Sequence, residues 1–292
     1  MALEELKILE KLLPELRQDA SVATGPGDDC AVLKMPGGGD VELLVAVDQL
    51  ACDIHYTADT PPEAAGEKLL KRNLSDIAAM GGTPRWALLT VAAGGCDAES
   101  VLRFCRGVAG CAARYSIPVV GGDLTGLNAD TEVATLTILG EVPTGLAILR
   151  SGARPGDALY VTGRIGNSFV SQHHLTFSPR LAEGIFLRGK ATAMLDISDG
   201  LLLDARRMAR SSQVDLRICA GAVPLRAGAV LPDALSDGED YELLFAAPPE
   251  LESAWKDDFA PLTRIGEILP GSGLVLDENG KEYKLKRSGY EH

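Results

Sequence analysis

Seven aspartates occur in five short, turn-like segments of this 292-residue chain. They are Asp28 and Asp29, Asp48, Asp76, Asp123, and Asp196 and Asp199. Each lies at the end of an apolar run or beside a small residue, where a chain leaves a strand or enters a helix. Carboxylates that fold together repel one another unless a cation is shared among them, and Mg²⁺ takes one or two carboxylates together with water and phosphate oxygens. The pattern therefore indicates metal ions that carry a polyphosphate.

Taken singly, these segments also have structural explanations. The run Gly25-Pro-Gly-Asp-Asp29 has the composition of an ordinary turn. Asn73 and Asp76 lie three residues apart on an apolar helix, where a hydrogen bond between helices would also satisfy them. Gly121-Gly-Asp123 follows a short predicted strand and is equally typical of a tight turn and of a loop that approaches phosphate.

The segment Asp196-Ile-Ser-Asp199 precedes a predicted helix, and either Ser198 or Asp199 could cap it. Capping needs only one acid or hydroxyl, whereas three crowd this helix start, so we favour a ligand site at a helix N-terminus. The run Ser236 to Glu242 is an acidic turn before a strand.

Four side chains are candidates for donating hydrogen bonds to phosphate, although each is also typical of a surface ion pair: Arg72, Asn73, Arg85 and Arg150. His55 has no partner at zinc-ligand spacing, which favours a structural or substrate-contacting role.

Composition narrows the class of protein. Hydrophobic residues make up 46% and the net charge is −13 with a pI near 4.8, which argues against non-specific binding to nucleic acid or anionic membranes. No apolar run is long enough to span a bilayer, and the N-terminus does not resemble a secretory signal. The six cysteines form no CxxC pair. We therefore expect a cytoplasmic protein with reduced thiols and no nucleic-acid or membrane partner.

Apolar periodicity and turn residues predict the elements that position these groups. Helices are expected at 3–13, 61–80, 98–115, 180–188, 200–211 and 250–258. Strands are expected at 30–35, 42–47, 85–92, 117–120, 132–142, 158–162, 214–219, 240–247, 262–268, 273–277 and 281–285. Because these elements lack a regular βαβ repeat, the predicted class is α+β with mixed sheets. The turn-rich run Arg150 to Asp157 is the predicted boundary between domains 1–148 and 149–292.

In this order, the segments resemble the thiamine-monophosphate kinase family. That family belongs to a superfamily of ATP-using proteins that includes aminoimidazole ribonucleotide synthetase. The resemblance spans nearly the whole chain, and its specific parts are Asn73-Leu-Ser-Asp76, Gly238-Glu-Asp-Tyr-Glu-Leu243 and Gly289-Tyr-Glu-His292.

The resemblance implies direct transfer of the γ-phosphoryl group of ATP to thiamine monophosphate, with Mg²⁺ ions bridging the two ligands. It implies metal ligands at Asp29, Asp48, Asp76, Asp123, Asp196 and Asp199. It implies ATP contacts at Gly122, Asp123, Arg150 and Ser198, and contacts to the thiamine substrate at His55 and Glu239. It also implies an N-terminal ATP- and Mg-binding domain whose mixed sheet pairs across a homodimer, and a C-terminal α/β sandwich domain that closes the cleft.

The chain departs from the family at several positions. Val47 and Gln49 flank Asp48 where hydroxyl residues are common, so one metal contact is expected to be lost or replaced by water. Leu124 replaces the usual Thr, and Asn167 replaces a frequent Asp. The stretch from Ser168 to His174 is short and lacks a helix. Lys286-Arg-Ser288 replaces an aromatic residue before the C-terminal motif.

Two alternatives remain at this point. One is another ATP-dependent synthetase of the superfamily. A selenophosphate synthetase would need a reactive cysteine in a glycine-rich N-terminal loop, and residues 1–24 contain none, which leaves only Cys30. The other is a non-catalytic dimer that binds nucleotide or thiamine, which the missing hydroxyl residues around Asp48 favour.

Overall fold

The computed structural model describes residues 5–278 and 281–282. The helices are α1 (Glu5–Leu12), α2 (Pro62–Ala79), α3 (Ala98–Arg114), α4 (His173–Thr176), α5 (Leu181–Leu187), α6 (Leu201–Ser212) and α7 (Leu231–Ser236). Short 3₁₀ turns occupy Leu13–Glu15, Ala220–Ala222 and Pro249–Ala254. None of the helices described is both long and apolar enough to cross a membrane.

Thirteen strands in the described chain form two sheets. The first sheet contains β1 (Val22–Thr24), β2 (Ala31–Lys34), β3 (Val41–Ala51), β4 (Thr83–Ala93), β5 (Val119–Gly126) and β6 (Glu132–Pro143), in the order β1-β2-β3-β6-β4-β5. The second contains β7 (Ala158–Thr162), β8 (Ala193–Asp196), β9 (Asp215–Cys219), β10 (Leu243–Ala247), β11 (Leu262–Leu269), β12 (Leu274–Glu278) and β13 (Lys281–Glu282), in the order β13-β12-β9-β11-β7-β10-β8. Most pairs are antiparallel, and the predicted α+β class with mixed sheets is confirmed.

Helix α2 lies between the two sheets. One side of it, including Leu69, Leu74 and Ile77, packs in the core of the first sheet with α3. At its C-terminal end Ala78 and Ala79 pack in a separate core beneath the second sheet. Because the helix contacts both sheets, side chains near its C-terminal half can meet groups from either half of the chain.

Several predicted elements differ from the structure. The predicted helix at 250–258 is instead a 3₁₀ turn, Pro249–Ala254, which ends because Trp255 is in an extended conformation with φ −65° and ψ 142°. The predicted strand at 240–247 starts only at Leu243. Strand β8 and helix α7 were not predicted, because four and six residues are too short for a clear period.

The prediction that Gly121-Gly-Asp123 lies beyond a strand end is wrong. Strand β5 continues through it to Gly126 and pairs in parallel with β4, so ladder hydrogen bonds outweigh the low strand propensity of glycine. A Cβ atom at Gly122 would lie 1.7 Å from the carbonyl oxygen of Leu89, so glycine is required there by the close approach of the two strands.

The division into domains 1–148 and 149–292 remains a prediction. The C-terminal motif Gly289–His292 and the preceding Lys286-Arg-Ser288 lie outside the described residues.

Candidate functional site

Three of the predicted metal ligands lie close together. Asp29 precedes β2, Asp76 lies on α2, and Asp196 ends β8. One carboxylate oxygen from each lies within 4.8 Å of the others. The acidic cluster of Asp29, Asp76 and Asp196 is therefore assembled from both halves of the chain.

The electrostatics of this cluster favour a shared cation. Burial, followed by neighbouring carboxylates, raises the pKa of Asp76 and of Asp196 well above the ordinary range. The side chain of Asp29 is 1% exposed, and its buried Oδ2 has no hydrogen-bond partner among the described residues. An all-oxygen donor set with an unsatisfied buried oxygen fits Mg²⁺, which prefers carboxylate and phosphate oxygens.

Arg150 closes one side of the cluster. Its Nη2 lies 2.7 Å from Oδ1 of Asp29, and its backbone N donates to both oxygens of Asp28 at 3.1–3.2 Å. Burial and the charge of Asp29 raise the pKa of Asp28 to about 6. Asp28 therefore anchors the loop that presents Asp29, and Arg150 supplies a cation beside it.

The loop before α6 carries Ser198 and Asp199. The alternative that Ser198 or Asp199 caps the helix is not observed, because the N-cap residue is Gly200, which has no side chain. Instead, the backbone N–H groups of Ser198 and Asp199 both donate to Oδ2 of Asp204 at 3.1 Å. Asp199 forms an ion pair with Arg207 at 2.6 Å. These contacts hold Ser198 and Asp199 in place, two and three residues after Asp196 in the chain.

The structure places Asp123 and Gly122 away from the acidic cluster of their own chain. Within the first sheet, Asp48 on β3 is paired with Leu136 on β6, and Leu136 is paired with Leu89 on β4. Leu89 is in turn paired with Gly122 on β5. Three strand spacings separate β3 from β5, about 14 Å. Since successive side chains alternate between the faces of a sheet, Asp123 also points away from the face that Asp48 shares.

A pocket opens beside the cluster. The residues that line it are Ile54, His55, Arg72, Phe169, Ser198, Asp199, Gly238, Glu239 and Tyr241. It therefore collects the two predicted substrate contacts, His55 and Glu239, and the predicted ATP contact Ser198. Nδ1 of His55 accepts a hydrogen bond from the backbone N of Ala51 at 3.0 Å, which orients the ring.

The turn that carries Glu239 has an unusual backbone. Glu239 and Tyr241 adopt left-handed φ angles of 68° and 51°. A Cβ atom at Gly238 would lie 2.4 Å from the carbonyl oxygen of Ser198, so this turn is pressed against the loop of the other site residues. The backbone N of Glu239 donates to that same carbonyl oxygen at 2.7 Å. These contacts hold Glu239 at the pocket wall.

A buried lysine supports the pocket from behind. Lys68 on α2 is fully buried and forms an ion pair with Glu239, and its Nζ lies 3.0 Å from Nδ1 of His174. Burial lowers the pKa of Lys68 to about 8, although Glu239 opposes the shift. The ring of Phe169 lies over the same ammonium group and stacks on His174 with centroids 4.3 Å apart. The short segment 168–174 therefore forms one wall of the pocket.

Asp240 holds that wall in place. Its buried carboxylate accepts hydrogen bonds from the backbone N of Gly166 at 2.9 Å, from Oγ of Ser168 at 2.6 Å and from Arg226 at 3.0 Å. Its carbonyl oxygen lies 3.1 Å from Nε2 of His173. Asp240 thus ties the segment with Phe169 to the turn with Glu239.

Some site residues were not predicted, although weak signals existed. Lys68 falls on an apolar face of the predicted helix 61–80, which is an unusual place for a charge. Ser75 lies inside the Asn73–Asp76 segment, and its hydroxyl donates to Oδ2 of Asp196 at 2.6 Å. No sequence signal identified Phe169. Among the four predicted phosphate donors, Arg85 instead pairs with Glu141 on the first sheet.

Comparison with known proteins assigns the family. Residues 27–142 match the family model "AIR synthase related protein, N-terminal domain". The thiamine-monophosphate kinase of Salmonella typhimurium is 32% identical over 326 residues, covering 100% of this chain and 99% of that protein. The corresponding protein of Bacillus subtilis is 31% identical, covering 99% of each chain.

The fold agrees with the sequence relationship. The solved structure described as AaThiL complexed with AMPPCP and TMP has a TM-score of 0.83 and 28% identity, covering 100% of this chain and 99% of that one. Full-length identity above 30% to proteins of one family, together with this structural match, is decisive. The chain belongs to the thiamine-monophosphate kinase family.

Proposed function

We propose that this protein transfers the γ-phosphoryl group of ATP directly to thiamine monophosphate, giving thiamine diphosphate and ADP in an Mg²⁺-dependent reaction. The observation that carries the proposal is the position of the acidic cluster beside a pocket with aromatic walls, in a chain of this family. The solved structure with a TM-score of 0.83 is described as complexed with AMPPCP and TMP. This pair of ligands supports the proposal that one nucleotide and one acceptor bind together at this site.

Asp29, Asp76 and Asp196 would hold the metal, with Asp48, Asp123 and Asp199 as further predicted ligands. Bound Mg²⁺ would neutralise phosphate oxygens that otherwise repel one another. Phosphoryl transfer asks the protein mainly to position its reactants and to stabilise charge. The attacking phosphate oxygen is already ionised, so no side chain has to remove a proton from it.

The remaining predicted contacts divide between the two ligands. Arg150 and Ser198, with Gly122 and Asp123, would bind ATP. His55 and Glu239 would contact the thiamine part of the acceptor in the pocket. Phe169 and Tyr241 supply flat apolar walls that suit its rings. Because the Asp240 network fixes the Phe169 wall, the acceptor would enter a largely preformed site.

The protein is proposed to act as a homodimer. All eight residues of the edge strand β5 are exposed, including Val120 and Leu124 at 58% and 65%. Val47 and Trp86 are exposed elsewhere on the first sheet, at 61% and 44%. An edge strand that, within the described residues, pairs on one side only, in a sheet with exposed apolar groups, fits a second copy of the same sheet.

A dimer would also account for Asp123, which its own chain keeps on the opposite face from Asp48. We propose that Gly122 and Asp123 complete the site of the partner subunit. Domain 1–148 would then provide metal ligands, ATP contacts and the dimer contact, while domain 149–292 closes the cleft. The six free cysteines support the proposed cytoplasmic location.

The decisive experiment measures ADP release with Mg-ATP and three acceptor conditions: thiamine monophosphate, thiamine, and no acceptor. The proposal predicts ADP release only with the monophosphate, and formation of thiamine diphosphate in equal amount. Absence of monophosphate-dependent ADP, despite measurable ATP binding, would refute the kinase proposal and favour a non-catalytic binding protein. ADP release that needs a different acceptor would favour another synthetase.

A further inference from the structure

Arg72 lies between the acidic cluster and the pocket, and its Nε is a hydrogen-bond donor that no described residue accepts. It lines the pocket, yet its side chain is only 11% exposed. Its Nη1 donates to the carbonyl oxygen of Gln49 at 3.0 Å. A guanidinium has five N–H donors, and within the described part of the chain the buried Nε makes no hydrogen bond. A buried guanidinium with such a donor at a pocket wall fits an anionic ligand.

Asp48 lies beside this guanidinium. Nε of Arg72 is 3.3 Å from Oδ2 of Asp48, an ion-pair distance without hydrogen-bond geometry. Burial alone would lower the pKa of Arg72, but Tyr241, Asp48, Glu239 and Asp76 together raise it. Arg72 therefore stays charged, and the carboxylate of Asp48 balances this charge without accepting a hydrogen bond from Nε.

The pocket suggests which anion is bound. Among the described residues that line this pocket, Arg72 is the only lysine or arginine. Ile54, Phe169 and Tyr241 form apolar and aromatic walls. Arg72 is also four residues from Asp76 on α2, so it faces the acidic cluster. A ligand with flat rings and a terminal phosphate would therefore place its rings on those walls and its phosphate at Arg72.

We propose that Arg72 binds the phosphate group of the monophosphate acceptor and that Asp48 is the positioning residue for its guanidinium. The identity of the acceptor rests on the proposed function above. The planar guanidinium can donate two parallel hydrogen bonds to phosphate oxygens, which thiamine itself lacks. Arg72 thus distinguishes the phosphorylated acceptor from the unphosphorylated one. The same chemistry suits a phosphate of ATP, so the test must separate the two ligands.

Isothermal titration calorimetry in EDTA tests the proposal without metal or turnover. The proteins are wild type, Arg72→Gln, Arg72→Lys and Asp48→Asn, with Arg103→Gln as a control at a surface ion pair with Glu63. The ligands are thiamine monophosphate, thiamine and a non-hydrolysable ATP analogue. Arg72→Gln is expected to weaken binding of the monophosphate about 10- to 100-fold and to leave thiamine and the ATP analogue unchanged. Arg72→Lys and Asp48→Asn should give smaller losses that are likewise specific for the monophosphate.

Three outcomes overturn the proposal. Monophosphate affinity within twofold of wild type shows that Arg72 does not bind the phosphate. Equal losses for the monophosphate and thiamine show that Arg72 only shapes the pocket. A loss confined to the ATP analogue assigns the guanidinium to the nucleotide.

Thermal unfolding verifies that each variant is folded, and if Arg72→Gln is not, Arg72→Lys supplies the same comparison. Wild-type ADP release is measured separately. If it does not depend on the monophosphate, the proposed function fails, whereas the binding comparison still decides the role of Arg72.

Discussion

The hydroxyl of Ser75 donates a 2.6 Å hydrogen bond to Oδ2 of Asp196. Ser75 lies on α2 and Asp196 ends β8, so this bond links the helix beneath the first sheet to a strand of the second. Both residues are buried. The bond orients one carboxylate of the acidic cluster, and it can form only after the two halves of the chain have packed together.

Removing this bond should make metal binding more dependent on pH. Burial and Asp29 raise the pKa of Asp196, whereas Ser75 lowers it. Ser75→Ala should therefore raise that pKa further and favour the protonated form of Asp196. We expect Mg²⁺ affinity to fall about 10-fold where Asp196 is protonated, a loss that narrows as the pH rises, because metal binding requires the deprotonated carboxylate. Calorimetric titration with Mg²⁺ between about pH 6.5 and pH 8.5 measures this.

Ser253→Ala, at an exposed turn, is the control for the loss of a serine hydroxyl. A loss of Mg²⁺ affinity in Ser75→Ala that does not depend on pH would contradict the expectation.

Asp76→Asn should stabilise the metal-free protein while abolishing its response to metal. The substitution removes one of three mutually repelling carboxylates, so the free energy of unfolding in EDTA should rise by about 1–3 kcal/mol. Wild type should gain about 2.7 kcal/mol at Mg²⁺ concentrations 100-fold above Kd, and the variant should gain almost nothing. Thermal unfolding with and without MgCl₂ tests both, with the exposed Asp59→Asn as control. Full Mg²⁺-dependent stabilisation of Asp76→Asn would exclude it as a ligand.

Asp240→Asn should flatten the pH dependence of stability. Burial raises the pKa of Asp240 to about 7, despite the opposing effects of Ser168, Gly166 and Arg226. Because the folded-state pKa exceeds that of the unfolded chain, this contribution to stability is complete below about pH 4 and is lost as the pH rises through about 7. The variant lacks this titration, so its stability relative to wild type should improve from about pH 5 to pH 8.

Urea unfolding across that range measures the difference in unfolding free energy for Asp240→Asn. The exposed Asp258→Asn serves as a control for the loss of an ordinary carboxylate. A difference between Asp240→Asn and wild type that stays constant with pH would show that Asp240 does not titrate in this window.

Mixed dimers should reveal whether Asp123 completes the partner's site. Asp76→Asn and Asp123→Asn homodimers are each expected to be inactive. After subunit exchange at equal concentrations, half of the dimers carry one intact site, so activity should recover to about a quarter of wild type. ADP release before and after exchange measures this. A mixture of Asp76→Asn with Asp196→Asn is the control that should stay inactive, since both residues belong to one subunit's cluster. No recovery in the first mixture, despite verified exchange, would refute the shared site.

Elements with a long apolar period are predictable from the sequence, whereas short or glycine-rich elements are not. Helix α2 was predicted at 61–80 and observed at Pro62–Ala79, because its apolar period extends over five turns. Strand β8 has four residues and no period, so it was missed. Strand β5 was predicted too short because its glycines have low strand propensity, whereas its ladder with β4 extends it.

The sequence by itself determined the family and indicated the chemistry. The order of the aspartate segments, with Asn73 and Gly238–Leu243, was enough to identify a thiamine-monophosphate kinase relative. Only the tertiary structure decided which groups meet. It joined Asp29, Asp76 and Asp196, and its strand register kept Asp123 on another face. It also brought Arg72 to Asp48. Local spacing encodes the face of a helix or strand, but contacts between remote segments depend on how the elements pack, which no short pattern specifies.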